Sequence, residues 1–298
     1  MSEIRAFLAR HSLLAGLVLM FALTWPIDLA QAGLLPFEVP FAAYLFLGWG
    51  FILAAIFMTG VTQGRQGIKS LLKRYLIWRV GWQWYGVALA LYPLLFAAAL
   101  GLGIPLGLAE LDFSQTLAAQ FFGPQTAWPL FVVPFFLFEA ISNGEEMGWR
   151  GYVLPRVQAR HNALAAALIV GVIWGMWHLP KFLAPFDGAL FALTLVKSMA
   201  DSVLYTWLNN NTRGSLLLVT LFHAAGNTAG FFMLPAGGDD KVALLAIITA
   251  LVMLSAVVVV VHSGPQWLSR AAGRASDALE LIDSAAVVQL DQVNTLQR

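Results

Sequence analysis

The sequence predicts an all-α polytopic membrane protein with about eight transmembrane helices and with both termini in the cytoplasm. Three observations predict this class: a high apolar content, a low charge content, and apolar segments of membrane-spanning length between basic loops. Of the 298 residues, 59% are hydrophobic and 11% are charged, and the mean hydropathy is +0.75. A soluble domain carries about 25% charged residues, so a soluble fold of this composition would lack the polar surface that it needs.

Apolar segments close to the length of a transmembrane helix, about 20 residues, recur along the chain. They cover residues 12–30, 40–60, 84–103, 128–145, 163–180, 189–208, 213–233 and 241–262. The first segment contains Pro26 and Asp28 and lacks a clear small-residue cleavage site. We therefore expect it to be a retained span and not a signal peptide.

The distribution of Lys and Arg predicts the orientation of these spans, because basic residues collect on the cytoplasmic side. With the N-terminus inside, 14 of the 17 basic residues lie in inside segments. Only Lys181 and Lys241 lie outside, and Lys197 lies within a span. This pattern predicts a transmembrane domain over residues 1–262 with both ends in the cytoplasm.

Two regions do not resemble spans. Residues 63–83 mix basic residues with Leu, Ile, Trp and Tyr, which predicts a cytoplasmic interfacial amphipathic segment that contacts anionic lipid. A plain basic loop is the alternative, since aromatic residues and positive loops are common beside membrane helices. Residues 263–298 are polar and are expected to form a cytoplasmic tail.

The composition excludes several classes of function. A net charge of +1 leaves no basic surface for nucleic acid. The absence of cysteine excludes disulfides, thiolate metal sites, iron–sulfur clusters and a cysteine nucleophile. The H-E-x-x-H and G-x-S-x-G signatures of other hydrolases are also absent from the sequence.

Ionisable side chains inside the predicted spans are candidate functional groups, because each costs about 2.5–3.5 kcal/mol to insert. Lys197 and Asp201 are four residues apart, and we expect them to form a structural ion pair. The other polar groups fall in three places: Glu139 with Glu145, Glu146 and Arg150; His178; and His223 with Asn227.

Spacings of four residues put several of these side chains on shared helix faces. The pairs are Glu146 with Arg150, Trp174 with His178, and His223 with Asn227. Glu145 is rotated by about 100° from Glu146, so it does not share Arg150 equally and is left for another role. Each pair also has a structural interpretation: a charge cluster at a helix end, a packed histidine, or a hydrogen bond between helices.

Helix geometry places Glu145 and His178 at one level. Each lies about 16 residues from a turn near residues 160–163, which is roughly 25 Å along each of two antiparallel helices. The chain must then continue helically past Pro155, and Asn162 is a good cap for the second helix. Because His178 also precedes a Leu-Pro-Lys turn, equal depth requires tilt, a thin membrane or re-entrant outer segments.

His223 and Asn227 lie 10 and 14 residues after Arg213, about 15–21 Å into their own helix. They are expected to join Glu145 and His178 in a cavity open to the cytoplasm. A buried carboxylate beside an imidazole can activate water, and a second imidazole and an amide can stabilise an oxyanion. This set is suited to amide hydrolysis, but Glu145, His178 and His223 could instead bind one zinc ion with a water in the fourth position.

These motifs resemble a known family. Glu145-Glu146-x-x-x-Arg150, Trp174-x-x-x-His178 and His223-x-x-x-Asn227 occur in this order on apolar segments. Together they are similar to the three-motif signature of the type II CAAX endopeptidase and bacteriocin-processing-protein (CPBP) intramembrane protease family. The resemblance covers about residues 128–230 and implies an eight-helix fold and peptide hydrolysis near the membrane surface.

The resemblance also implies roles for individual residues. Glu145 and His178 would activate water, His223 and Asn227 would form the oxyanion site, and Glu146, Arg150 and Trp174 would support them. A metal-independent, glutamate-type protease is favoured, with zinc on Glu145, His178 and His223 as the alternative. The implied partners are a peptide or lipidated protein substrate and membrane lipids, and the compact loops favour a bacterial inner membrane.

Two other classes of function stay open. An ion- or proton-coupled transporter would use Asp28, Glu139, Lys197, Asp201 and the two histidines as a relay. In that case Lys197 and Asp201 would matter as much as Glu145. A noncatalytic membrane scaffold would keep its cellular role without Glu145.

Overall fold

The computed structural model describes residues 3–40, 47–108, 112–123 and 129–269. Within these residues there is no β-strand, and isolated β-bridges join Thr116 to Pro235 and Leu183 to Phe186. The α-helices of the described residues are α1 (Glu3–Arg10), α2 (Ser12–Gln31), α3 (Leu47–Lys73), α4 (Trp82–Gly103), α5 (Leu117–Phe122), α6 (Pro129–Ser142), α7 (Leu154–Gln158), α8 (Ala163–Trp177), α9 (Gly188–Asn211), α10 (Leu216–Met233) and α11 (Gly238–Ser263). A π-helix covers Met147–Val153, and 3₁₀ turns cover Arg74–Leu76, Phe113–Gln115 and Leu179–Phe182.

Six helical segments of the described residues are long and apolar enough to cross a membrane. They are Ser12–Gln31, Leu47–Leu76, Trp82–Gly103, Gly188–Asn211, Leu216–Met233 and Gly238–Ser263. Large apolar side chains on their outer faces are exposed, including Leu14, Val18, Leu53 and Phe57, as expected of surfaces that face lipid. The predicted all-α polytopic membrane fold is confirmed.

Two of the predicted spans contain shorter helices. The segment 128–145 contains α6, of 14 residues, and the segment 163–180 contains α8, of 15 residues. A helix of 15 residues is about 22 Å long, which is less than the thickness of about 30 Å of a bilayer core. The count of eight spans, and the cytoplasmic location of both termini, therefore stay predictions.

The predicted span 40–60 and interfacial segment 63–83 are joined in one long helix, α3. Residues 41–46 lie outside the described residues, and α3 runs from Leu47 to Lys73 with non-helical angles at Gly64 (φ 65°, ψ −162°). Glycine adopts this positive φ without the steric cost of a Cβ. The kink separates the apolar half of α3 from the basic half, and the 3₁₀ turn Arg74–Leu76 follows.

The predicted hairpin that carries Glu145 and His178 is present, with one correction. Residues 145–158 are helical through the π-helix and α7, past Pro155, and the Asn162 side chain caps α8 by accepting the Ala165 N–H at 2.8 Å. However, α6 ends at Ser142, so Glu145 begins a new helical stretch and does not end the predicted span 128–145. The chain breaks there because Gly144 packs on the backbone of α3, where an added Cβ would lie 2.3 Å from the Gly48 carbonyl.

Close helix packing fixes the position of α8. Gly171 and Gly175 form a G-x-x-x-G pair that faces α9, and a Cβ on Gly171 would lie 2.6 Å from the Met199 Cα. Small residues at this spacing allow helix backbones to approach closely. At the end of α8, Trp177 donates to the Thr24 hydroxyl at 2.8 Å and its carbonyl accepts from Trp25 at 3.0 Å. Helices α2 and α9 therefore hold the end of α8 that carries Trp174 and His178.

The beginning of the predicted polar tail packs against the bundle. The Gln266 and Pro265 carbonyls accept the first backbone N–H groups of α8, each at 3.0 Å. Asn211, at the end of α9, donates to the Leu268 carbonyl at 2.8 Å, and Leu268 is fully buried. The rest of the predicted tail, from residue 270, lies outside the described residues.

Candidate active site

Two indole N–H groups hold the carboxylate of Glu145. Trp149 Nε1 donates to Glu145 Oε2 at 3.3 Å, and Trp174 Nε1 donates to the same oxygen at 3.0 Å. The Glu145 N–H is bonded to the Asn143 side chain at 3.0 Å, so the helical stretch begins with a side-chain cap. Glu145 is half-buried, and these bonds fix one carboxylate oxygen while Oε1 has no hydrogen bond within the described residues.

Glu146 and Arg150 form the predicted ion pair, and His223 completes it. Glu146 Oε1 accepts from Arg150 Nη1 at 3.0 Å and from His223 Nδ1 at 2.8 Å. The side chains of Glu146 and Arg150 are both fully buried. The Arg150 guanidinium lies between two aromatic rings, 4.7 Å from the centroid of Trp174 and 4.3 Å from that of Tyr205. Cation–π contacts of this kind compensate part of the cost of burying a guanidinium.

His178 is oriented by the turn that precedes it. Its Nδ1 is 2.9 Å from the Trp174 carbonyl oxygen, which can only accept, so Nδ1 carries the proton in this contact. Nε2 is then the nitrogen available to accept a proton from water. The ring packs edge-on against Trp177, with centroids 4.8 Å apart.

His223 and Asn227 lie on one side of α10 as predicted, but they contact different elements. His223 is buried and points to Glu146. Asn227 is exposed, and its Nδ2 donates to Glu139 Oε2 on α6 at 2.7 Å. Glu139 is thus a partner of the candidate site, although the sequence pattern alone does not connect it with Asn227.

Trp174 joins the three motifs. Its N–H contacts Glu145, its carbonyl contacts His178, and its ring packs edge-on against His223 with centroids 5.6 Å apart. The structure therefore brings Glu145, His178 and His223 together around Trp174, with Asn227 one helical turn beyond His223.

The sequence patterns did not identify three aromatic residues in this region, two beside the cluster and one beside Asp201. Trp149 lies four residues after Glu145, so the spacing that paired Glu146 with Arg150 could have found it. Tyr205 lies one turn after Asp201, and its role depends on packing between helices that spacing does not reveal. Tyr92 donates to Asp201 Oδ1 at 2.6 Å from α4.

The predicted ion pair of Lys197 and Asp201 is present, with Lys197 Nζ 2.7 Å from Asp201 Oδ2. With Tyr92 on the other oxygen, both carboxylate oxygens of Asp201 have a donor. This pairing agrees with the structural role expected for Lys197 and Asp201.

The alternative in which Glu145, His178 and His223 bind one zinc ion stays a prediction. Among the described residues, no group of three or more His, Asp or Glu side chains is placed to hold one ion. His178 and His223 each use Nδ1 in a contact with the protein, and these contacts do not involve Nε2 of either ring. We therefore derive no step through a metal.

Comparison with known proteins places all three motifs in one matched region. Residues 124–229 match the family model "Type II CAAX prenyl endopeptidase Rce1-like". The chain is also similar to the CAAX prenyl protease 2 of Methanococcus maripaludis, with 27% identity over 146 residues. The match covers 46% of this chain and 52% of the relative, so it spans about half of the relative's length. Residues 124–229 of this integral membrane protein are thus similar to the Rce1-like CAAX prenyl endopeptidases, and the similarity includes all three motifs of the candidate site.

Proposed function

We propose that this protein is an intramembrane endopeptidase that hydrolyses a peptide bond in a membrane-associated or lipidated peptide. The observation that carries the proposal is the Glu145 carboxylate, held by two indole N–H groups beside two imidazoles inside a bundle of membrane helices. The similarity to a protein named CAAX prenyl protease 2 supports the reaction class. Fixed groups of this kind act without reorganisation at the moment of reaction.

Glu145 and His178 are the proposed water-activating pair. Oε2 of Glu145 is occupied by the two indoles, so Oε1 is the oxygen that would accept a proton from water. His178 donates Nδ1–H to a carbonyl, which leaves Nε2 to orient the same water. General-base catalysis of this kind contributes typically 10²–10⁴-fold to a rate.

His223 and Asn227 are the proposed oxyanion donors. With Nδ1 bonded to the Glu146 carboxylate, a protonated His223 ring has Nε2–H as a second donor. Asn227 donates one amide hydrogen to Glu139 and keeps its second for the substrate. Glu139 would thereby act as a positioning residue, because a carboxylate accepts only from the NH₂ side of the amide and so selects its orientation.

The reaction then balances without a covalent intermediate. The water oxygen attacks the peptide carbonyl carbon, its proton passes to Glu145, and the carbonyl oxygen becomes an oxyanion between His223 and Asn227. When the tetrahedral species collapses, the C–N bond breaks and Glu145 returns the proton to the leaving nitrogen. The products are a carboxylic acid and an amine, Glu145 is again ionised, and transfer of the remaining water proton from the acid to the amine gives a carboxylate and an ammonium group.

An apolar cavity beside the site supports a lipidated or strongly apolar substrate. The cavity has a volume of about 420 Å³ and lies between α4, α6 and α10. Its lining includes Phe136, three residues before Glu139, and Ala225 and Thr228, which flank Asn227 on α10. Apolar cavities with a few polar groups at one end are typical binding sites. We propose that the apolar part of the substrate occupies this cavity, in a bacterial inner membrane.

Cleavage of fluorescence-quenched lipopeptides by the purified full-length protein tests the proposal. Glu145→Ala and His178→Ala are expected to abolish cleavage, whereas Glu38→Ala, which removes an exposed carboxylate from the loop after α2, is expected to retain it. Cleavage that persists in both site variants would overturn the assignment. Stoichiometric zinc that is present in the wild type and lost in His178→Ala would overturn the metal-independent form of the mechanism.

A further inference from the structure

A second cavity lies away from the candidate active site, and two arginines line it. Its volume is about 380 Å³, and its lining is Leu76, Ile77, Trp78, Arg79 and Arg213. No acidic side chain is among these residues. Neither arginine forms an ion pair with a carboxylate within the described part of the chain, so both charges are available to an anion.

Hydrogen bonds between two distant segments fix the walls of this cavity. Arg213 Nη2 donates to the Arg79 carbonyl at 2.6 Å, and the Ser215 hydroxyl donates to the Ile77 carbonyl at 2.7 Å. Arg74 Nε donates to the Gly214 carbonyl at 2.7 Å. The loop after α3 is thus bound to the turn between α9 and α10, and the cavity does not depend on one mobile loop.

Arg213 lies in a turn with a left-handed backbone. Arg213 has φ 57° in a turn that continues with Gly214 at φ 72°. A residue with a Cβ is uncommon at positive φ, where glycine or asparagine is preferred. From this turn the Arg213 side chain lines the cavity.

The surroundings of the cavity have the character of a membrane–water interface. Leu76 is 73% exposed, Trp78 is 56% exposed, and Trp82 is 85% exposed. The Arg79 guanidinium lies over the Trp78 ring, 4.9 Å from its centroid. Leu76 and Trp82 are the end residues of two candidate membrane spans, and exposed tryptophan is typical of the headgroup level.

We propose that this cavity binds the headgroup of an anionic phospholipid, with the phosphate between Arg79 and Arg213. Guanidinium groups bind phosphate through charge-assisted hydrogen bonds. The acyl chains would leave the cavity along Leu76, Trp78 and Trp82. The proposed ligand is a lipid and not a free anion, because acyl chains would cover the exposed apolar side chains at the rim of the cavity.

Occupancy of this site would also support the candidate active site. Arg74, in the same loop, donates to the Gly151 carbonyl of the π-helix at 3.2 Å. A lipid that stabilises the loop would therefore stabilise the segment that carries Arg150. The binding proposal does not depend on the proposed protease function.

Native mass spectrometry of the delipidated full-length protein in a non-ionic detergent tests the proposal. We expect one molecule of phosphatidylglycerol to bind in preference to phosphatidylcholine. Arg79→Gln is expected to weaken this binding about tenfold. The hydrogen bonds that fix the cavity walls should be retained in this variant. Arg213 donates to the backbone carbonyl of Arg79, which the substitution does not change. Arg65→Gln is the matched control, since it removes an exposed charge from the basic half of α3 outside the cavity.

Three results would overturn the proposal: equal binding of both lipids, equal loss in the Arg79 and Arg65 variants, or displacement of the lipid by inorganic phosphate alone. A melting-temperature increase with phosphatidylglycerol that disappears in Arg79→Gln gives an independent supporting measurement.

Discussion

The same substitution at two adjacent residues, Glu145→Gln and Glu146→Gln, should give opposite effects. Both changes replace a carboxylate with an amide of nearly the same shape. Glu145 is half-buried and its partners are two neutral indole N–H groups. Glu146 is fully buried and its partners include the guanidinium of Arg150. The first change should therefore affect the reaction, and the second should affect the fold.

The contacts give the expected magnitudes. In the first variant the new amide oxygen can still accept from Trp174, so we expect the free energy of unfolding to change by about 1 kcal/mol or less. Loss of the general base should lower kcat by about 10²–10⁴-fold. Glu146→Gln leaves the buried charge of Arg150 without its counter-ion, which costs about 3–5 kcal/mol. That loss corresponds to a decrease in melting temperature on the order of 10 °C.

Two assays on the same detergent-purified samples separate these outcomes. Cleavage of the quenched lipopeptide gives kcat and KM, and intrinsic tryptophan fluorescence during heating gives the melting temperature. We expect Glu145→Gln to be inactive and stable, and Glu146→Gln to be unstable. The reasoning is refuted if the two variants lose the same stability, or if Glu145→Gln keeps wild-type kcat.

Three further predictions follow from individual contacts. Trp174→Phe removes one donor from Glu145 and should lower kcat about tenfold or more, measured with the same peptide. Glu139→Ala should lower kcat about tenfold with little change in KM, whereas Glu139→Gln, which keeps an acceptor for Asn227, should restore most of the rate; equal loss in both variants would argue against a positioning role. Gly171→Ala should destabilise the protein by about 1–3 kcal/mol, because its Cβ would lie 2.6 Å from the Met199 Cα. Gly86→Ala meets no atom within 4 Å and should leave the melting temperature unchanged or slightly higher.

The sequence predicts the long lipid-facing helices well, because the length of an apolar segment reflects the thickness of the bilayer. The predicted spans 84–103 and 241–262 correspond to α4 at Trp82–Gly103 and α11 at Gly238–Ser263. The sequence predicts the structure of the region around Glu145 less well. There the helix breaks because Gly144 packs on the backbone near Gly48, a tertiary contact that no local pattern contains.

Some contacts of the candidate site could also be predicted from local spacing, whereas others depend on how distant helices pack. Spacing of four residues was sufficient to predict the contact of Glu146 with Arg150, because both lie on one helix face. The bond from Asn227 to Glu139 joins α10 to α6 across 88 positions of sequence. The bond from Trp174 to Glu145 joins residues 29 positions apart and could be expected only after the two helices were placed at equal depth.

The π-helix shows that the N-terminal part of the chain is needed for the site, although the family match begins only at residue 124. π-Helices are rare in proteins, and those that occur lie frequently at functional sites. Because this conformation is rarely adopted, we expect tertiary contacts to stabilise it here. Gly148 lies so close to α3 that a Cβ added to it would be 2.6 Å from the Phe51 side chain. A Cβ added to Gly151 would likewise be 2.9 Å from the Leu71 side chain. Arg74 then binds the Gly151 carbonyl. These contacts come from residues before the region that the family model matches, so the geometry of Glu145, Glu146 and Arg150 also depends on the N-terminal part of the chain.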